Sequence, residues 1–164
     1  MEEHISIKMT KKDLSYFVLR HAYVSFSGVF GVFLSLVSLV YLILGGGDTP
    51  LEKLLFLFMG LLFTVIQPVM LVGRAGRQVK TSPAFQNTLQ YSLKEDGIEI
   101  LQGEEKGIVP WENLHHLVET KEYILIYVTA RRAFVFPKNQ LEGKYDSVKA
   151  VISQYMKPSK CRWK

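Results

Sequence analysis

Few residues of this chain have the type and spacing that chemistry demands. His115 and His116 are adjacent, and neighbours on a strand point to opposite faces. The two imidazoles are therefore expected not to hold one ion together, and only His115 shares a side with Glu119. Glu104 and Glu105 fall in a turn between apolar runs and read as a solvated corner rather than a general acid and base. Cys161 is the single cysteine, which excludes an internal disulfide, and only nearby cations mark it as a nucleophile. A Gly-rich phosphate loop, a nucleophile elbow and a Cys/His cluster are all lacking. The expectation is a protein that is not an enzyme, with no catalytic, cofactor-binding or metal-binding residue and no cofactor.

What remains is chemistry of binding. The net charge is +5, and the basic residues gather before, just after and well beyond a long apolar region. Clusters so placed suit an anionic membrane surface better than nucleic acid. Arg74, Arg77 and Lys80, with Arg131 and Arg132 in an exposed turn, are the candidate contacts to lipid phosphates. Trp111, beside Pro110, is a core or corner aromatic, and otherwise part of a surface for an unknown protein partner.

The elements that must position these groups follow from hydropathy. No charged residue occurs from Ala22 to Gly47 or from Leu54 to Gly73. Tyr23 to Leu44 is 22 residues, 14 of them Val, Leu, Ile or Phe. At about 1.5 Å per residue such a helix slightly exceeds the ~30 Å hydrocarbon core of a bilayer. A cleaved signal peptide has a shorter apolar region ending in small residues, whereas this one ends in Tyr41 and Leu42. Gly45 to Gly47 break the helix, and Asp48, Thr49 and Pro50 supply a cap and a first-turn proline for the next. Ser27, Gly31, Ser35 and Ser38 make a stripe of small side chains for close packing, against the second helix of the same chain or, as a homo-oligomer, against another copy. In the second span Pro68 leaves the Thr64 carbonyl without its helical donor, and the Gln67 amide or the Thr64 hydroxyl is expected to compensate. Lys and Arg flank both outer ends while the loop holds only Lys53 with Asp48 and Glu52, which predicts a multi-pass protein of the cytoplasmic membrane with both termini cytoplasmic.

Ahead of the hairpin, Ile5 to Lys8 alternates like a short strand, and Thr10 with Asp13 predicts a helix start, the helix running on into the membrane with Tyr16 and Tyr23 as interfacial anchors. Behind it, Phe85 to Lys94 alternates with a period of two, the clearest strand signal in the chain. Strands are predicted at Ile98 to Gln102, Ile108 to Trp111, Leu114 to Glu119, Tyr123 to Thr129 and Ala133 to Phe136, the last ended by Pro137. Tyr145, Val148, Val151, Ile152 and Tyr155 then mark one face of an amphipathic helix. The fold class is α+β: two transmembrane helices followed by a small antiparallel, strongly bent sheet whose open end a C-terminal helix covers. The division expected is 1–21 for the cytoplasmic strand and helix start, 22–73 for the hairpin with spans near 22–44 and 54–73, 84–157 for the head, and 158–164 for a basic tail.

The run Ile108-Val-Pro-Trp111-Glu-Asn-Leu114, then Glu119 to Leu125, then Ala133-Phe-Val-Phe-Pro137-Lys138 and the closing helix, resembles the YcxB-like family of bacterial membrane proteins. That resemblance implies a hairpin preceding a cytoplasmic head similar to the bacterial pleckstrin-homology-like (PH-like) fold. It supplies no catalytic residues. It also implies that Ile5 to Lys8 docks onto the head's sheet. The function expected is a membrane-anchored module that recruits or regulates a protein partner, with anionic headgroup sensing as the alternative and an enzyme or transporter subunit behind both.

Overall fold

A computed structural model of the chain describes residues 2–102 and 105–164. It divides into two units, one made of residues 1–13 and 79–164, the other of residues 14–78. The first is discontinuous in sequence, with the apolar hairpin inserted into it.

The hairpin begins with α1 (Lys11–Val24). Its start is a reciprocal cap: the Asp13 carboxylate accepts from the Thr10 N–H at 3.0 Å, and the Thr10 hydroxyl accepts from the Asp13 N–H at 3.3 Å. The helix does not run on into the apolar segment as expected. Ser25 breaks it, because one hydroxyl serves both helix ends, donating to Ala22 O at 2.6 Å and accepting from Gly28 N–H at 3.2 Å. A Cβ at Gly28 would stand 1.8 Å from Ala22 O, so only glycine permits this approach.

Helix α2 (Phe26–Ile43) packs against α3 (Pro50–Leu61), which passes through a π-helical turn (Leu62–Ile66) into α4 (Gln67–Thr81). Thr49 and Glu52 form a capping box at the start of α3, with Pro50 in its first turn. The small-residue face of α2 is Gly28, Gly31, Ser35 and Ser38, all buried, while Ser27 is exposed. The stripe thus shifts by one position at its first member, and Gly31 and Ser35 meet the second helix of the same chain.

Proline 68 acts through the π turn rather than by a simple kink. The Gln67 N–H reaches back five residues to Leu62 O, and in that register the carbonyl deprived by Pro68 is Phe63 O. Tyr23 Oη donates to Phe63 O at 2.7 Å, so its hydroxyl is spent within the hairpin. At the other end of the turn Ser35 Oγ donates to Met59 O at 2.8 Å and accepts from Phe63 N–H at 3.3 Å, bridging a pair that an α-helix joins directly. The Thr64 hydroxyl goes to Gly60 O at 2.7 Å. Thr64 Oγ1 therefore does not serve the carbonyl freed by Pro68, and Gln67 Oε1 is buried with no hydrogen-bond partner among the described residues.

The head contains two four-stranded sheets, so the bent sheet is divided. The first has β1 (Glu3–Ile7), β2 (Leu89–Leu93), β3 (Gly97–Gln102) and β4 (Glu105–Pro110) in that order, antiparallel throughout. Ile5 pairs with Tyr91 and Ile7 with Leu89, so the N-terminal segment docks on the sheet. The second has the order β7 (Ala133–Pro137), β6 (Tyr123–Tyr127), β5 (His116–Glu119), β8 (Cys161–Arg162), with β8 parallel to β5.

The strand predicted from Phe85 is shorter than its alternation suggests. Pro83 opens a one-turn helix, α5 (Pro83–Gln86), in which Phe85 N–H bonds to Ser82 O at 3.0 Å, and pairing starts only at Leu89. Lys94 N–H bonds to Gly97 O at 2.9 Å in the β2–β3 turn. Gly97 has φ +152°, and a Cβ there would lie 2.3 Å from Val109 O. Helix α6 (Tyr145–Tyr155) packs on β1 and β2 through fully buried Val148, Val151 and Ile152. The core they join includes Ile7, Leu93, Ile98, Leu117, Ile124, Ile126 and Phe136, each at 0% exposure. Fully burying such side chains contributes roughly 1.5–3 kcal/mol each, enough for a head of this size to hold a sheet edge made from the chain's other end.

The last residues are not a free basic tail. Pro158–Lys160 form a 3-10 turn, and β8 continues along β5. Lys160 Nζ is spent on backbone, donating to Glu112 O at 3.1 Å and to Leu114 O.

Candidate functional site

The head's most elaborate polar arrangement centres on Glu119, which lies on the inward face of β5 two residues after Leu117. An acid there is costly unless paired. Its carboxylate accepts from Lys138 Nζ, from Tyr145 Oη at 2.6 Å and from the Lys164 N–H at 2.8 Å, with Lys149 Nζ at 3.7 Å. Burial pushes its pKa up, but these donors outweigh that and hold it at about 2. Lys149 also stands 5.0 Å from the Trp163 ring centroid and 5.5 Å from that of Tyr145. One carboxylate therefore ties β5, the start of α6, the residue after β7 and the C-terminal segment together. Asp13 is another buried acid, taking Thr10 Oγ1 at 2.6 Å, the Thr10 N–H and Tyr123 Oη at 3.0 Å, while buried Glu99 is paired with Lys94 at 2.8 Å and Lys106 at 3.0 Å. Sequence reasoning missed all three as sites. The available signal was an acid at an inward position of the β5 alternation.

Two of the clefts among the head's described residues lie near sequence-predicted or buried polar groups. One, of about 480 Å³, is flanked by Thr10, Lys12, Asp13, Lys121, Tyr123 and Asn139. The other, of about 340 Å³, lies between Glu95, Asp96, Trp111, Glu112, Tyr155 and Lys160. Trp111 is 7% exposed, donates through Nε1 to Lys94 O at 2.8 Å and stacks on Tyr155 at 6.0 Å. It lies in the 3-10 turn Trp111–Asn113 rather than at the end of a strand. Its chief task is holding the β2–β3 turn to α6, and only its rim reaches the cleft.

The histidines differ from expectation. Strand β5 starts at His116, so His115 is not bound by strand alternation, and its Nδ1 comes 2.7 Å from His116 Nδ1. His116 stacks on Tyr127 at 4.3 Å. Burial, then His115 and Arg162, push the His116 pKa down. Among the described residues no three His, Cys, Asp or Glu side chains gather as a metal site. Burial pushes the Cys161 thiol up, away from a reactive thiolate. Glu104 lies outside the described residues, and only the backbone of Glu105 is described, in β4.

The candidate phosphate contacts fall in two places. Arg131 and Arg132 share the exposed β6–β7 turn, where both N–H groups bond to Thr129 Oγ1, at 3.3 and 3.1 Å. Arg74, Arg77 and Lys80 are exposed on α4, which continues in helix beyond the apolar stretch to Thr81. All five are exposed to solvent.

Fold and site together define an α+β chain in which two helices, Phe26–Ile43 and Pro50–Thr81, are long and apolar enough to cross a membrane and the polar head has saturated internal acids. Residues 93–152 match the model of the YcxB-like protein family, from the end of β2 through most of α6. That stretch, which includes the Trp111 turn and the Pro137-Lys138 strand end, is where the chain is similar to the family. No curated protein and no solved structure matches the chain.

Proposed function

We propose that this is a non-enzymatic, membrane-anchored module whose PH-like head recruits or regulates a protein partner on the cytoplasmic side. The observation that carries it is the discontinuity of the head: residues 1–13 and 79–164 form one compact unit, so both ends of the inserted hairpin leave from the same body. A hairpin so rooted has both ends on one side of a bilayer, and the basic flanks select the cytoplasmic side. Supporting the bilayer, large apolar side chains from Phe26 to Met70 stand exposed, Phe26 at 86% and Val69 at 66%. Supporting a non-catalytic role, the buried acids Asp13, Glu99 and Glu119 are each paired with groups of the chain. The partner surface we favour is the cleft edged by Trp111 and Tyr155, whose mixed charges suit a polar peptide. The test is crosslinking in whole cells followed by purification in detergent. A reproducible partner lost in a Tyr155→Ala variant is the expected result, and its absence overturns the proposal.

The exposed Arg131-Arg132 turn favours a second function, sensing of anionic headgroups. Hydrogen exchange of the full chain in vesicles reads it directly. Residues 129–133 should exchange more slowly when phosphatidylglycerol is added to phosphatidylcholine, and unchanged exchange removes the idea.

A further inference from the structure

An apolar groove of about 290 Å³ runs along the π turn and α4, lined by Phe63, Ile66, Gln67, Met70 and Leu71 and ending at Arg74. In a helix whose surroundings are lipid, an apolar groove alone says nothing, since acyl chains cover every face. The end of this one does. Arg74 is exposed, makes no ion pair among the described residues, and no acid occurs from Leu54 to Thr81. The groove lies where the five-residue π turn passes into α4, Leu62, Phe63 and Ile66 coming from the turn and Gln67, Met70, Leu71 and Arg74 from the helix after it. Gln67 lies in this otherwise apolar wall about 10 Å along the axis from Arg74, its Oε1 buried and without a hydrogen-bond partner among the described residues.

We infer that this groove is a site for one anionic phospholipid, its phosphate on the Arg74 guanidinium and an acyl chain laid past Met70 and Ile66 to Phe63. The site rests on the proposal that the hairpin lies in a bilayer, and it is separate from the head's Arg131-Arg132 turn. Charge complementarity selects the occupant: a guanidinium forks onto phosphate oxygens, and a headgroup without a compensating cation leaves that attraction whole.

The experiment is native mass spectrometry of the full chain in detergent, titrated with phosphatidylglycerol or phosphatidylcholine of the same acyl chains, beside flotation of the chain with phosphatidylcholine vesicles. One phosphatidylglycerol should be retained in preference to phosphatidylcholine. Arg74→Gln should weaken it roughly fivefold, Ile66→Trp should abolish it by filling the groove, and Arg132→Gln should leave it unchanged. Equal retention of the two lipids, or an unaltered Arg74→Gln variant, overturns the site. Loss in Arg74→Gln with an unaffected Ile66→Trp overturns the acyl groove. A chain that does not float with the vesicles overturns the bilayer placement instead, so the two failures are told apart.

Discussion

Glu119 shows how a single side chain can organise a small domain. Its side chain is 2% exposed while Lys138 keeps 25% in solvent. Removing the charge should therefore cost less than the roughly 3–5 kcal/mol of a fully buried pair, and Glu119→Gln is expected to lower the head's stability by about 2–3 kcal/mol in thermal unfolding. The pH dependence has a definite sign. The folded pKa of about 2 lies below the ordinary 4.5, so the contribution is complete above pH 4.5 and is lost as pH falls toward 2. Wild type should lose stability across that window, and Glu119→Gln should lose markedly less. Gly97 has little freedom to change, since its φ of +152° and its backbone neighbours both exclude a side chain. Gly97→Ala brings a Cβ against Val109 O and should destabilise by about 1–3 kcal/mol, measured by denaturant unfolding.

Among the elements, the π turn is held from two sides by α1 and α2 hydroxyls. Ser35 bridges Met59 O and Phe63 N–H, and Tyr23 serves Phe63 O. Within lipid an unserved carbonyl has no water to turn to, although interhelical hydrogen bonds there are worth only about 0.6–2 kcal/mol each. Ser35→Ala and Tyr23→Phe should each cost an amount in that range. Because both act on one turn, hydrogen exchange at residues 59–67 should rise more in the double variant than the two single effects predict.

For the whole molecule, β1 matters more than a five-residue terminal strand suggests. It covers the β2 edge and is packed by α6, with Lys144 Nζ donating to His4 O at 2.8 Å. Deleting residues 2–8 should expose that edge and make the head sensitive to limited proteolysis at concentrations that spare wild type. Reporters fused to either terminus should be active in the cytoplasm and silent outside, and opposite signals from the two ends would contradict the inserted-hairpin topology.

The amino-acid sequence by itself determined the parts governed by near neighbours. These are the charge-free spans, the Thr10/Asp13 and Asp48–Pro50 starts, the Gly45–Gly47 break and the α6 face, because periodicity and caps act within a few residues. The tertiary structure decided everything whose partner lies far along the chain. Ser25 splits a helix that periodicity alone continues, and Phe63 O takes its donor from a residue 40 positions away. In the basic C-terminal segment Cys161 and Arg162 pair with β5, a partner more than 40 residues back along the chain. Glu119 and Asp13 are ordinary acids in the sequence, and became the head's polar centres only when folding removed their water and brought lysine, tyrosine and backbone donors in its place.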